Sequence, residues 1–289
     1  MTPPPEALLP VLVHIQANLD EDLSLATLSR IANLSPSHFH RVFNAGIGET
    51  PSQYVARLRL ERGAFRLQVQ NANILRIALD CGFNSHETFT RAFQRAFGKS
   101  PAAYRDWSRQ QLSGGRTHAR TSGPAVQPTF GLSATKVVRL RDMHLAFVRH
   151  LGPYEEVPDF LFSQLAEWAE RSHVPGPRIW LGIGHDAPGT TAPEQLRFDA
   201  ALVVPGAFAQ DGHVGHQLLV GGDFAVTTHV GAYDTLPCAY SAIFGRVVSL
   251  AGYELVGLPA VEFYRTGSCN SALRLNETDI CLPVERRSR

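Results

Sequence analysis

The sequence predicts two domains: an all-α N-terminal domain with two helix-turn-helix motifs, and an α+β C-terminal domain of duplicated strand-helix-strand-strand units. Three observations predict this. Two stretches of the first half, 28–54 and 77–104, match at steps of 49 to 50 residues. Leu34 falls on Phe83, Phe39 on Phe89, and Arg41, Phe43, Gly48, Pro51 and Tyr54 fall on Arg91, Phe93, Gly98, Pro101 and Tyr104. A second repeat, at 79 to 80 residues, sets His150-Leu-Gly-Pro-Tyr154 against His229-Val-Gly-Ala-Tyr233. Charge is also segregated: residues 1–120 hold 14 Lys and Arg against 9 Asp and Glu, a formal +5, whereas residues 121–289 hold 13 against 17, a formal −4. The basic half is the half with the helical repeat, which points it towards a polyanion.

Composition narrows the class. A chain of 289 residues that is 44% apolar can bury two ordinary cores. It has no run of 18 apolar residues, and its start, MTPPPEALLP, shows neither a positive n-region nor a cleavage pattern. The expectation is a cytoplasmic protein that neither spans a membrane nor is secreted. Cys81, Cys238, Cys269 and Cys281 form no C-x-x-C pair and are expected to be reduced thiols; no structural metal and no cofactor is expected.

In the first domain, residues 6–19 repeat apolar side chains at Leu8, Leu9, Leu12, Ile15 and Leu19, a helical period in which Pro10 falls within the first turn. Ser24 caps the next helix, with Leu25, Leu28, Ile31 and Ala32 inward. Asn33 and Leu34 turn the chain, and Ser35-Pro36 opens a third helix. On that helix Phe39, Val42 and Phe43 share the buried side, while Ser37, His40, Arg41 and Asn44 share the other. In the second copy Phe89, Ala92 and Phe93 face inward and Glu87, Thr90, Arg91 and Gln94 outward. An outward Arg on a helix in the major groove can chelate guanine O6 and N7, a contact worth about 1–3 kcal/mol of discrimination. His40, Thr90 and Gln94 suit base edges or phosphates, whereas Glu87 repels phosphate unless it accepts from a cytosine amino group. Residues 51–68 form one long helix (Tyr54, Val55, Leu58, Phe65) studded with Arg57, Arg59, Arg62 and Arg66. It is expected to act as a rigid connector between heads placed for successive major grooves, about 34 Å apart, with its arginines available to phosphate. Residues 110–128, QQLSGGRTHARTSGPAVQP, lack periodicity and are expected to be a flexible tether between domains at 1–109 and 129–286.

In the second domain the strands 145–149 and 224–228 each lead through a tyrosine motif into a helix, 157–170 and 238–250. Two more strands complete each copy, 178–184 and 198–204 in the first, 260–265 and 278–283 in the second. The expected arrangement is two half-sheets facing a shared cleft, where ligand sites are favoured. Strand alternation puts Ala260, Glu262 and Tyr264 on one side, opposite Trp180, Gly182 and Gly184, so that Glu262 looks across glycine between Trp180 and Tyr264. Tyr154, Tyr233 and Trp168 complete the candidate ligand-binding set. The two tyrosines also stand at helix starts, and Trp168 lies at core spacing from Leu161 and Leu165. His150 and His229 have no third ligand at metal spacing and are expected to be structural.

The run RIALDCGFNSHETFTRAFQRAFGKSPAAYR, residues 76–105, resembles the signature of AraC/XylS-family transcription regulators, with a weaker first copy ahead of it. The resemblance covers roughly the first 109 residues. It implies base contacts by Ser37, His40 and Arg41 on one recognition helix and by His86, Glu87 and Arg91 on the other. Residues 129–286 resemble the GyrI-like small-molecule-binding domain, through HLGPY, LRFDAALVVP, VGGDFAVTTHVGAY, VEFY and TDICLPV. That superfamily includes the effector domain of BmrR-type multidrug regulators, and the resemblance places Glu262 among aromatic rings, meeting cationic, lipophilic ligands. The sequence departs from the family pattern at Gly231-Ala232-Tyr233, where the family favours Gly-Pro-Tyr, and at His185-Asp186-Ala187-Pro188, where it carries two aspartates. Together the two resemblances imply a DNA-binding transcription regulator, not an enzyme. Its expected partners are promoter DNA, a small effector and RNA polymerase. The alternative is a GyrI-like hydrolase or scavenger of DNA-alkylating natural products, with Glu262 as general base and Tyr154 or Tyr233 as donor.

Overall fold

The computed structural model describes residues 6–113, 130–257, 259–265 and 276–287. Two compact units make up the chain, the first built on the residues up to Arg109 and the second on most of the residues beyond it.

The first unit is helical. A 3-10 turn at Glu6–Leu8 leads into α1 (Leu9–Ala17), followed by α2 (Leu25–Ile31), α3 (Pro36–Ile47), α4 (Pro51–Val69), α5 (Ile74–Asp80), α6 (His86–Phe97) and α7 (Pro101–Ser113). Side-chain oxygens of Ser24, Asn73 and Ser85 accept from the third backbone N–H of their helices, and Thr50 forms a reciprocal capping box with Gln53. The two recognition helices end alike: Gly48 and Gly98 take φ of +80° and +67°, the left-handed conformation that stops a helix without a Cβ clash.

Two cores lie along α4. Phe39, Phe43, Tyr54, Val55 and Leu58 pack with Leu12, Ile15 and Leu28 in the first, and Leu60, Ala64, Leu67, Ile77, Phe89, Phe93 and Tyr104 form the second. Three arginines of α4 are engaged within the unit rather than standing ready for phosphate. Arg57 pairs with Glu49 at 2.7 Å and Glu61 at 3.2 Å, Arg59 donates to the carbonyls of Leu19 and Glu21 at 2.7 Å each, and Arg66 pairs with Asp80 at 2.9 Å. The expectation for that helix is corrected for those three side chains. Helix α7 continues to Ser113, so the tether expected from Gln110 begins in helix; its remaining residues lie outside those described.

The second unit contains β1 (Gly131–Leu132), β2 (Lys136–Leu140), β3 (Met143–Leu151), α8 (Phe160–Arg171), β4 (Trp180–Gly184), β5 (Arg197–Val204), β6 (Gly215–Leu219), β7 (Gly222–Gly231), α9 (Leu236–Val248), β8 (Tyr253–Leu255), β9 (Ala260–Tyr264) and β10 (Asn276–Arg286). The duplicated strand-helix-strand-strand units are present, but the half-sheets do not face each other across a cleft. They join edge to edge in one sheet of order β1-β7-β10-β9-β4-β5-β3-β6, with β2 on β7 and β8 on β10. The seam is the antiparallel pair β4–β9, where Gly182 stands opposite Glu262, its own counterpart one repeat later. A local twofold relation between the copies therefore passes through that pair. Cys81, Cys238 and Cys281 are free thiols; Cys269 lies outside the described residues.

Beneath the first copy sits a buried charge cluster. Arg149 and Asp199, both with fully buried side chains, share two hydrogen bonds of 2.7 Å, and Asp199 also meets His185 Nε2 at 2.6 Å and Gln217 Nε2 at 2.9 Å. Burial alone would raise the Asp199 carboxyl, but the charges of Arg149 and His185 hold it far below the ordinary carboxylate range. Its contribution to stability is therefore present above the unfolded-state value of about 3.9 and lost as pH falls through the lower folded value. Asp199→Asn leaves Arg149 buried without its counter-charge and is expected to lower stability by about 3–5 kcal/mol in denaturant unfolding at neutral pH. The variant should also lack the wild type's Asp199-linked loss in strong acid.

Candidate DNA-reading surface and effector site

Burial of one aromatic side fixes what the other side of each recognition helix presents. In α3, Phe39 and Phe43 are fully buried and meet edge-on with centroids 5.5 Å apart, and Ser37, His40 and Arg41 are left exposed. Arg41 Nη2 lies 3.4 Å from Nδ1 of His38, an exposed neighbour that periodicity did not single out. In α6, Phe89 and Phe93 are buried with centroids at 5.3 Å, and His86, Glu87, Arg91 and Gln94 are exposed. Thr90 departs from the expectation in part: it is half-buried where the matching His40 is exposed, and its hydroxyl is covered and makes no hydrogen bond. The Glu87 carboxyl is held below the usual range by its own backbone N–H and the Ser85 hydroxyl at the start of α6, with the charges of His86 and Arg91 adding to the effect.

The second cluster gathers around Glu262. The residue is 8% exposed, its Oε1 accepts from the Tyr240 hydroxyl at 2.7 Å, and its Oε2 accepts from the Tyr264 hydroxyl at 2.8 Å. Tyr264 stands two residues along β9 on the same side of the sheet and Tyr240 comes down from α9. Gly182, across the seam, makes room for this: a Cβ there would run into the Tyr264 hydroxyl and lie 2.8 Å from the Phe198 ring. The ring of Tyr264 meets Phe162 of α8 at 5.6 Å and Tyr233 at 5.7 Å, and Phe162 meets Trp180 at 6.1 Å. Tyr154 packs over Gly184 and meets Phe198 at 6.2 Å; its hydroxyl donates to the Asp186 carbonyl at 2.8 Å and accepts from the Asp186 N–H at 3.0 Å.

Of the expected ligand-binding set, Glu262, Tyr264 and Tyr233 share direct contacts, and Trp180 joins through Phe162. Tyr154 flanks them over the glycine strand. Trp168 is 4% exposed with its ring 4.9 Å from Phe208, the burial that its spacing from Leu161 and Leu165 predicts. Tyr240, Phe162 and Phe198 were missed. Tyr240 lies one turn before buried Ile243, and Phe162 one turn before buried Leu165, so helical spacing held the signal. His150 and His229 serve the turns that carry the tyrosines: His229 Nε2 meets the Thr235 hydroxyl at 2.7 Å in the turn Tyr233–Thr235, and His150 bonds the carbonyl of Pro153.

Burial raises the Glu262 carboxyl, and the two tyrosine hydrogen bonds pull in the opposite direction without overcoming it. Burial and the nearby carboxylate push both phenols well above their usual value, so they remain donors. The arrangement is an acidic group in an aromatic setting, with a desolvation cost that a cation would relieve and rings that attract the same charge.

A folded-state value above the unfolded one means that the charged form costs stability. The cost sets in as pH rises above the unfolded value of about 4.3 and persists above the folded one. Glu262→Gln is expected to melt at a higher temperature than wild type at neutral pH, with the difference closing below about pH 4. A wild type more stable than the variant at neutral pH would mean that the phenol hydrogen bonds outweigh desolvation.

Residues 28–106 match the model of a helix-turn-helix domain, and residues 134–285, a little over half of the chain, match that of the GyrI-like small molecule binding domain. The transcriptional regulator Rob of Salmonella typhimurium is 28% identical over 229 residues, 76% of this chain and 77% of that protein. The right origin-binding protein of Escherichia coli strain K12 is 28% identical over 231 residues, with the same coverage. The HTH-type transcriptional regulator Rv1931c of Mycobacterium tuberculosis is 41% identical over 81 residues, 28% of this chain and 31% of its own length.

Proposed function

The chain belongs to the GyrI-like small-molecule-binding family and is a DNA-binding transcription regulator, and from that premise we propose that a lipophilic cation held at Glu262 controls promoter binding by α3 and α6. The observation that supports this most is the nearly buried Glu262 carboxylate among aromatic rings, answered only by two phenols among its described hydrogen bonds. Each good bidentate guanine contact by Arg41 or Arg91 adds about 1–3 kcal/mol, and Ser37, His40, His86, Glu87 and Gln94 stand on the same exposed strips. The Escherichia coli relative is by its name an origin-binding protein, and duplex DNA is the ligand assigned to this first unit. RNA polymerase is the further partner that promoter binding calls for, and the cytoplasm is the compartment that fits both. No described helix is long and apolar enough to cross a membrane.

Sensing is favoured over hydrolysis by the fusion of this site to a DNA-reading unit, which hydrolysis of a small molecule does not call for. For control to result, the ligand must bind one DNA-affinity state better than the other, and DNA then alters ligand affinity by the same factor.

Two measurements test the reading. In quantitative footprinting, Arg41→Ala and Arg91→Ala should each weaken specific binding by about 1–3 kcal/mol, and unchanged specificity in both removes the DNA assignment. In thermal shift, tetraphenylphosphonium should raise the melting temperature of the wild type and fail to do so for Glu262→Gln, while a neutral aromatic compound of similar size acts on both alike. Equal cation shifts in the two proteins would remove Glu262 from the site.

A further inference from the structure

We propose that Glu87 makes α6 the discriminating one of the two reading heads, accepting a hydrogen bond from the exocyclic amino group of a cytosine within two base-pair steps of the guanine held by Arg91. The inference rests on the reading that α6 enters the major groove and adds to it which base pair is selected.

The two heads are alike in their buried faces and unlike in their exposed ones. The first turn of α3 carries Ser37 and no acidic residue, whereas that of α6 carries Glu87 at the matching place, fully exposed. With the Thr90 hydroxyl covered, Glu87, Arg91 and Gln94 are left as a stripe at intervals of four and three residues. Residues near the start of a recognition helix are those that reach base edges.

A carboxylate on a surface that docks against phosphates lowers affinity for every sequence unless a donor meets it. Two base-edge donors exist in the major groove, cytosine N4 and adenine N6. The adenine amino group lies beside N7, an acceptor that repels a carboxylate, so cytosine is the base that fits. Four residues of helix advance about 6 Å. Base pairs are spaced about 3.4 Å apart along each strand. The cytosine therefore falls fewer than two steps from the guanine.

Glu87 also has a local part, because its carboxylate takes the N–H of its own residue and the Ser85 hydroxyl at the helix start. A residue that only stabilised the start of α6 would change stability and leave base preference alone.

The test is selection of bound duplexes from a random library by the full chain, with sequencing and melting temperatures for wild type, Glu87→Ala, Glu87→Gln and Arg91→Ala. The wild type is expected to favour one cytosine by about 5- to 150-fold close to a selected guanine. Glu87→Ala should keep the guanine, lose the cytosine preference and bind unselected duplex more tightly. Glu87→Gln should move the preference to adenine, whose N6 and N7 suit an amide. An unchanged cytosine preference in Glu87→Ala, or a loss of binding that is uniform across sequences and accompanied by a lower melting temperature, overturns the proposal. If Arg91→Ala loses the guanine while Glu87→Ala changes nothing, only the role of Glu87 falls. If Arg91→Ala also keeps the guanine, the groove reading falls with it.

Discussion

An ionised carboxylate taken out of water is costly unless other charges or donors replace the water, and the second unit is arranged around one such group. Glu262 occupies the seam where the two halves of the sheet meet, with phenols from β9 and α9 on its two oxygens. Those hydrogen bonds reduce the cost and leave the charge without a cationic partner among the described residues. The aromatic rings alongside, Phe162, Tyr233 and Trp180, offer a cation an attractive face without supplying a counter-ion of their own. The contrast with Asp199 is informative. That carboxylate is more completely buried but is held by Arg149 on two matched hydrogen bonds, and so is structural. The presence or absence of a cationic partner separates the two roles more clearly than burial does.

In the first unit the governing constraint is packing rather than charge. The rings on the inner sides of α3 and α6 bury completely, and this fixes the rotation of each helix about its own axis. Arg41 and Arg91 are outward as a consequence. Helix α4, at 19 residues, is about 28 Å long and contributes to both cores, so it ties the heads together through apolar contacts at each end. Arg57, Arg59 and Arg66 are committed to carboxylates and carbonyls of the same unit, which holds α4 against its neighbours. On the proposed reading, binding of a polyanion then falls to the arginines of the recognition helices and the exposed basic groups near them.

Much of this was legible in the residues. Phe39, Phe43, Phe89 and Phe93 at helical spacing gave the inner faces, the Gly-x-x-Pro stops gave the helix ends, and the strand alternation around Glu262 placed Tyr264 beside it. What was not legible depends on long-range partners. The partner of Arg59 is the carbonyl of Leu19, forty residues earlier, so an arginine on a helix looked free when it was spoken for. The joining of the half-sheets edge to edge depends on the pairing of β4 with β9, which hydrophobic pattern alone does not specify. Thr90 was assigned outward because its angular position borders the exposed strip, and a rotation of a few tens of degrees is enough to cover a short hydroxyl.

Both units are duplications, and in both the copies differ where specificity would lie. Across the seam, the repeat carries Gly182 opposite Glu262. A second carboxylate at position 182 would face the first across one strand pair, where like charges are destabilising, and a Cβ alone would displace the Tyr264 hydroxyl. In the helical unit, Ser37 stands where Glu87 stands. An acid in both heads would set two negative charges against the same polyanion, and one in neither would leave the heads with the same preference for guanine. Duplication provides two matched scaffolds, and a single asymmetric acid in each gives the pair a direction: on the proposed reading, one end of the effector meets Glu262 and one half of the operator meets Glu87.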